Sequence, residues 1–210
     1  MSHRTGILLV VSGPSGSGKT TVCRAASGVT PLYYTVSCTT RSMRPGEADG
    51  RDYFFLSDEE FQRRIEAGEF LEHALVHGRR YGTLKSEVVP RLAAGEDVVM
   101  DLDPQGAAQL RACEDAAIRH SLVDVFILPG GMDDLRHRLT ARQSESDAEL
   151  QLRLLNALDE MRHWPEYAYT IVSRTKEQDL VEFLAVISAE RCRSHRLRFP
   201  ALPGHLPERP

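Results

Sequence analysis

The chain has 210 residues, 41% hydrophobic and 27% charged, with a formal net charge of −4. That length suits one compact domain with room for small inserted pieces, and the composition is ordinary for a globular chain. The acidic balance excludes a binder driven mainly by nucleic-acid phosphates, and no apolar run approaches membrane-spanning length; the four scattered cysteines form no C-x-x-C pair and supply neither a disulfide framework nor a zinc site. With free thiols and no signal-peptide stretch before Ile7, the expectation is a cytoplasmic enzyme acting without nucleic-acid or membrane partners.

Ile7–Ser12 reads as a buried strand, and Gly18–Ser27 as a helix. Between them, Gly13-Pro-Ser-Gly-Ser-Gly-Lys19-Thr20 fits the phosphate-loop pattern G-x-x-x-x-G-K-[ST] in the required strand-to-helix setting. Glycines let successive N–H groups turn inward toward phosphate oxygens, and the helix N-terminus adds partial positive charge. Gly13, Pro14, Ser15, Gly16, Ser17, Gly18, Lys19, Thr20 and Thr21 are therefore the expected segment for binding a nucleoside triphosphate, which the resemblance described below makes ATP. Lys19 would reach the β- and γ-phosphates, and the Thr20 hydroxyl would ligate Mg2+. Alone, this loop leaves ATPase, GTPase and kinase open.

Further strands are predicted at Tyr34–Cys38, Asp97–Asp103, Val123–Leu128 and Tyr169–Ser173. Helices are predicted at Asp58–Ala67, Pro104–Cys113, Met132–Ala141, Asp147–His163 and Glu177–Arg193. Ser57 and Glu60 have capping-box spacing, and Gly68 is placed to stop that helix. The alternation indicates an α/β fold around a largely parallel sheet. Two polar stretches interrupt it, Thr39–Glu87 and the arginine-bearing Arg138–Arg153. The segment Phe199–Pro210 holds four prolines and is expected to lie extended or disordered over the surface as a flexible tail.

In the first polar stretch, Arg41 and Arg44 stand three residues apart among hydroxyls, with Gly46 and Gly50 marking tight turns. Two guanidinium forks at this spacing can converge on one phosphate dianion, and Tyr53 and Tyr81 can add phenolic donors. A solvated basic loop would have little use for those tyrosines. Asp101 ends an apolar strand and is placed like a Walker-B carboxylate orienting the metal's water shell; Asp103 stands at the same sheet edge. His73 and His77 stand four apart, but the intervening residues are strand-like and no third ligand is nearby in sequence, which argues against a metal site.

The block Thr39-Thr-Arg41-x-x-Arg44-x-Gly-Glu47-x-x-Gly50-x-Asp-Tyr53 resembles the guanylate kinase family, and it is far more specific than the phosphate loop. The resemblance continues through Gly68–Glu72, Arg80–Thr83, Asp101–Gly106, Phe126–Pro129, the arginine-spaced segment and Tyr169–Val172, covering about residues 6 to 190. It implies a P-loop core (1–36, 89–137 and 154–198), an inserted GMP-binding subdomain (37–88), a small lid (138–153) and a tail (199–210). It also implies Mg2+-dependent phosphoryl transfer from ATP to GMP, with dGMP also accepted.

The same resemblance implies that Arg41, Arg44, Tyr53 and Tyr81 hold the GMP phosphate, while Ser37, Glu72, Thr83 and Asp103 surround guanine and ribose. The chemistry agrees for Glu72, because guanine presents N1–H and N2–H2 donors along one edge and an ionised carboxylate accepts both. Adenine would leave that carboxylate unpaired, at a cost of about 1–3 kcal/mol or more. Arg138, Arg142 and Arg153 match the family's lid arginines, which close over the ATP phosphates and stabilise charge on the transferred group. Lys19, Arg41 and these three are the expected catalytic set. Ser173 stands where the family usually has Asn near adenine, so looser donor-base recognition is expected; Gln143-Ser-Glu-Ser also departs from the usual lid turn. A kinase for another acceptor would lack the arginine block and Glu72. A phosphopeptide-binding relative without activity would have lost Lys19 and the lid arginines.

Overall fold

The computed structural model describes residues 4–76, 78–140 and 147–197. Its centre is β1 (Leu8–Ser12), buried along its whole length because neighbours pair on both edges. The strands β2 (Tyr33–Tyr34), β7 (Val98–Asp101), β8 (Leu122–Leu128) and β9 (Tyr169–Val172) complete a five-stranded parallel sheet of order β2-β7-β1-β8-β9. The two-residue period of a strand sends Ile7, Leu9 and Val11 to one face and Leu8 and Val10 to the other. The first face packs on α1 (Lys19–Val29) and α8 (Lys176–Arg191) through Val22, Cys23, Ala26, Phe183 and Ile187. The second packs on α3 (Lys85–Ala93), α4 (Pro104–Arg111) and α5 (Ala116–Ser121) through Val88, Leu92, Ala107, Leu110 and Ile118. Both faces being covered explains why these strands read as continuous apolar runs.

A second sheet of order β4-β3-β6-β5 stands on this core, built from β3 (Cys38–Thr39), β4 (Phe54–Phe55), β5 (Phe70–Val76) and β6 (Arg79–Leu84). It has its own apolar centre with α2 (Asp58–Glu66), where Phe61 stacks on Phe70 at 4.4 Å beside Cys38 and Leu84. Ser57 caps α2 by accepting from the Glu60 N–H at 3.1 Å, and Gly68, at φ 66°, ends it as expected.

The predicted strand Tyr34–Cys38 is corrected. Its pairing in the main sheet ends where the Thr35 N–H donates to the Val99 carbonyl, and by Cys38 the chain pairs antiparallel with Gly82 in the second sheet. One apolar-looking run thus serves two sheets, with the change of partner falling on Val36 and Ser37. The strand read as Asp97–Asp103 is shorter than expected, because Asp97 turns its carboxylate to Arg4, Arg191 and the Ile7 N–H while Asp103 caps α4. The hairpin β5–β6 and the helices α3 and α5 are elements beyond those the sequence pattern predicts. The helices α6 (Met132–Thr140) and α7 (Asp147–Met161) share a small apolar cluster of Leu135, Ala157, Leu154 and Met161. Residues His77, Arg142, the Gln143–Ser146 stretch and the 199–210 tail lie outside the described residues, as does the side chain of Arg138.

Candidate active site

Parallel strands expose a crevice at their carboxyl ends, and β1 delivers the phosphate loop there. Gly13 has φ 140°, and a Cβ on it would lie 2.4 Å from the Ile127 carbonyl oxygen, so only glycine lets the loop leave β1 beside β8. Gly18, at φ 102°, starts α1 in the left-handed region. The Ser17 N–H donates to the Pro14 carbonyl at 3.1 Å, closing the turn around a part-buried Lys19. The Lys19 ammonium donates to the Gly13 and Pro14 carbonyls at 2.6 and 3.0 Å. Burial pushes its pKa down, while Asp101, Glu160 and Asp103 pull it back up.

The Thr20 hydroxyl donates to Asp101 Oδ2 at 2.5 Å, and the Tyr34 hydroxyl donates to Asp101 Oδ1 at 2.7 Å. Burial, with the Asp101 charge beside it, raises the Tyr34 phenol's pKa and keeps it a donor. Sequence reasoning missed Tyr34 because a tyrosine in a strand looks like core. A hydroxyl and one carboxylate at the loop's mouth are hard oxygen donors of the kind Mg2+ takes together with substrate phosphates and water, so these residues fit that ion. Beside the loop runs a cleft of about 790 Å3, walled by Thr20, Thr21, Ala25, Arg174, Thr175 and Leu180 among others. Ser173 is 2% exposed and its hydroxyl donates to Asp179 at 2.7 Å, while Arg174, Thr175 and Lys176, which follow it, line the cleft.

Across the crevice, the second sheet gathers the expected acceptor residues into two groups. In the outer group, the Arg41 guanidinium lies over the Tyr53 ring at 5.3 Å, and the Tyr53 and Tyr81 rings meet edge to face at 5.9 Å. Arg41 makes a two-pronged pair with Glu47, its Nη1 and Nη2 donating at 2.9 and 2.8 Å, and the Arg44 N–H donates to the same carboxylate at 2.8 Å. Glu47 is thus the pin that ties the two arginines into one loop. Its spacing, six after Arg41 and three after Arg44, was visible in the motif but carried no assigned role. Arg44 directs an exposed side chain from that loop.

The inner group centres on Glu72, 4% exposed, on β5 opposite Thr83 of β6 at a bulge in the pairing. Ser37 and Thr83 hydroxyls are 3.1 Å apart beside it. Burial raises the Glu72 pKa to about 7, opposed by a hydrogen bond from Thr83 and reinforced by the Asp103 charge. Its Oε1 is buried without a hydrogen-bond partner, while Oε2 backs onto Gly106, where a Cβ would sit 2.8 Å away. Gly106 therefore leaves room for Glu72, and it also donates its N–H to Asp103 Oδ1 at 2.9 Å. The two half-sites converge on the end of β7: Asp101 faces the phosphate loop and Asp103, two residues on, faces Glu72.

The helix α7 reaches the loop from the other side. The Arg153 guanidinium donates to the Ser15 hydroxyl at 3.1 Å, and Glu160 Oε2 accepts from the Ser15 N–H at 3.2 Å. Of the expected lid arginines, Arg153 is thus placed at the phosphate loop. Arg138 lies on α6.

A parallel sheet carrying a phosphate loop at its carboxyl edge, with an arginine-and-carboxylate site facing it, defines a P-loop nucleotide kinase. The family model described as guanylate kinase matches residues 5–190. A guanylate kinase of Paramagnetospirillum magneticum is 43% identical over 194 residues, 92% of this chain and 89% of that protein. One from Symbiobacterium thermophilum is 45% identical over 192 residues, covering 91% and 89%. A crystal structure of guanylate kinase from Anaplasma phagocytophilum superposes with a TM-score of 0.78 at 30% identity, covering 93% of each chain. The chain belongs to the guanylate kinase family.

Proposed function

We propose that this protein transfers the γ-phosphoryl group of ATP to GMP or dGMP, reversibly and with Mg2+, giving ADP and GDP or dGDP. The observation that carries the acceptor assignment is Glu72, a buried carboxylate with one oxygen unpartnered. A buried carboxylate in that condition is costly, and guanine's N1–H and N2–H2 edge is the donor pair that satisfies it. Thr83 and Ser37 supply hydroxyls to the same base, and Asp103 lies toward the ribose. Arg41, Arg44, Tyr53 and Tyr81 hold the monophosphate, with Glu47 fixing the arginines.

In the forward reaction a GMP phosphate oxygen attacks Pγ, and the bond from Pγ to the β–γ bridging oxygen breaks, releasing ADP. Little covalent work falls to the protein, so alignment and neutralisation of charge dominate. Lys19 and the loop amides hold the donor phosphates and follow the migrating group. Arg41 fixes the attacking phosphate, and Arg138, Arg142 and Arg153 neutralise charge on the transferred one. Thr20, with Asp101 acting through water, would hold Mg2+, which would supply charge neutralisation to the donor phosphates. The cleft beside Thr21 and Arg174 takes the adenine. Among the described residues no helix is long and apolar enough to cross a membrane, and we place the enzyme in the cytoplasm.

Calorimetric titration with GMP, IMP and AMP tests the reading. GMP should bind, IMP (which lacks the N2 amine) more weakly, and AMP at least about 100-fold more weakly. Equal affinity for GMP and AMP would remove Glu72 as the guanine reader.

A further inference from the structure

Glu160 belongs to none of the roles above, yet its carboxylate sits on the phosphate loop, accepting from the Ser15 N–H at 3.2 Å. An acid at this spot is unexpected, since the amides of such a loop serve to receive phosphate oxygens. Seven residues earlier, two helical turns along the same face of α7, Arg153 donates to the hydroxyl of the same serine. Ser15 is thus held at once by an acid and a base from one helix. Glu160 also acts on Lys19, as the second-largest of the charges that raise its pKa, after Asp101.

We infer that Glu160 is a positioning residue that stands in for a donor phosphate at the Ser15 amide and must be displaced when ATP loads. This rests on the donor assignment of the loop made above. A phosphate entering the loop repels Glu160 and attracts Arg153, so the same event releases one contact of α7 and strengthens the other. The geometry permits the response. Among the described residues, the apolar cluster that joins α7 to α6 is separate from the two clusters of the main sheet, so those side chains do not lock α7 into that core. Glu160 also lines a cleft of about 320 Å3 with Asp103 and with Leu75 and Val76 of β5. Its displacement therefore changes the wall between donor loop and acceptor sheet. In the empty enzyme Glu160 keeps the loop amide occupied and offsets the Lys19 charge, at a cost in donor affinity.

The test is calorimetric titration of ADP, inorganic tripolyphosphate and adenosine into the wild type, Glu160→Gln and Glu160→Ala, with amide exchange at Ser15 measured alongside. Removing the competing charge should tighten ADP and tripolyphosphate about three- to tenfold while leaving adenosine unchanged. The alanine variant covers the case in which the glutamine carbonyl still accepts from Ser15. In the free protein the Ser15 N–H should exchange faster in both variants, and with ADP bound it should be protected equally in all three proteins. A merely structural residue would lose affinity on substitution, so unchanged or weakened ADP and tripolyphosphate binding would overturn the inference. Should the variants not fold, wild-type Ser15 exchange decides alone: an amide unprotected without ligand overturns it. Wild-type protein that binds neither ADP nor tripolyphosphate would overturn the donor reading itself.

Discussion

Replacing Glu72 by glutamine should stabilise the free enzyme while crippling it. The carboxyl is 4% exposed and its pKa stands at about 7 instead of 4.5, a difference equivalent to about 3 kcal/mol between its two protonation states. The sign follows from the direction. A carboxyl whose folded pKa is raised favours the fold fully below its unfolded value, and that contribution is lost as pH climbs from about 4.5 through about 7. At pH 8 the wild type carries the full cost of an ionised buried group, whereas Glu72→Gln carries none of it. For a chain of this size about 3 kcal/mol corresponds to an upper limit of about 6–12 °C in Tm. Calorimetric unfolding without nucleotide, at half-unit steps from pH 5 to 8, should show Glu72→Gln gaining on the wild type as pH rises. Saturating GMP should reverse the order, because only the wild type binds it well. A Tm difference that does not change with pH, or a variant that loses ground toward pH 8, would mean that the buried Glu72 carboxylate carries no such cost. The wild type's GMP affinity should also fall below pH 7, since the carboxyl must shed its proton to accept guanine's donors.

Lys19→Ala should lower kcat by at least about 100-fold with GMP affinity nearly unchanged in titration, because the ammonium serves the donor phosphates and the transferred group. Arg41→Lys should raise the KM for GMP about tenfold and leave that for ATP alone; a lysine cannot pair with Glu47 in two prongs and still face the phosphate. Ser173→Asn should not sharpen the preference for ATP over GTP in steady-state turnover. It should instead cost about 1–3 kcal/mol in chemical unfolding, since the larger side chain enters a filled site.

The elements that could be read from the sequence were those whose burial is set by local pattern. Val98-Val-Met100 and Val123–Leu128 are covered on both faces and give unbroken apolar runs, and Gly13 and Gly18 announce the loop through backbone geometry alone. The β5–β6 hairpin hid because its residues answer to the site more than to a core: Glu72 is buried against its type, and Gly82 and Arg80 interrupt any alternation. The change of sheet after Thr35 is a tertiary event that no local pattern records. The expected acceptor residues stand out through the arginine block and the resemblance, but the contacts that support them do not. Gly106 and Tyr34 act on side chains far away in sequence that no motif spans, whereas Glu47 stands inside the arginine block with nothing in the pattern to say that it ties Arg41 and Arg44 together. Nothing in the local pattern shows that Ser173, placed by its register with the family, turns its side chain in to Asp179.

We propose that the phosphate loop and the Glu72 site are two halves of one phosphotransfer centre. Incubating the enzyme with Mg2+, GMP and ATP labelled at the γ-phosphate, then separating the nucleotides, tests it most directly. Label should move to GDP in equal amount to the ADP formed, with little transfer to AMP or UMP offered in place of GMP. Label released as inorganic phosphate, or passed to AMP as readily as to GMP, would mean that the two sites do not form a guanine-specific phosphotransfer centre.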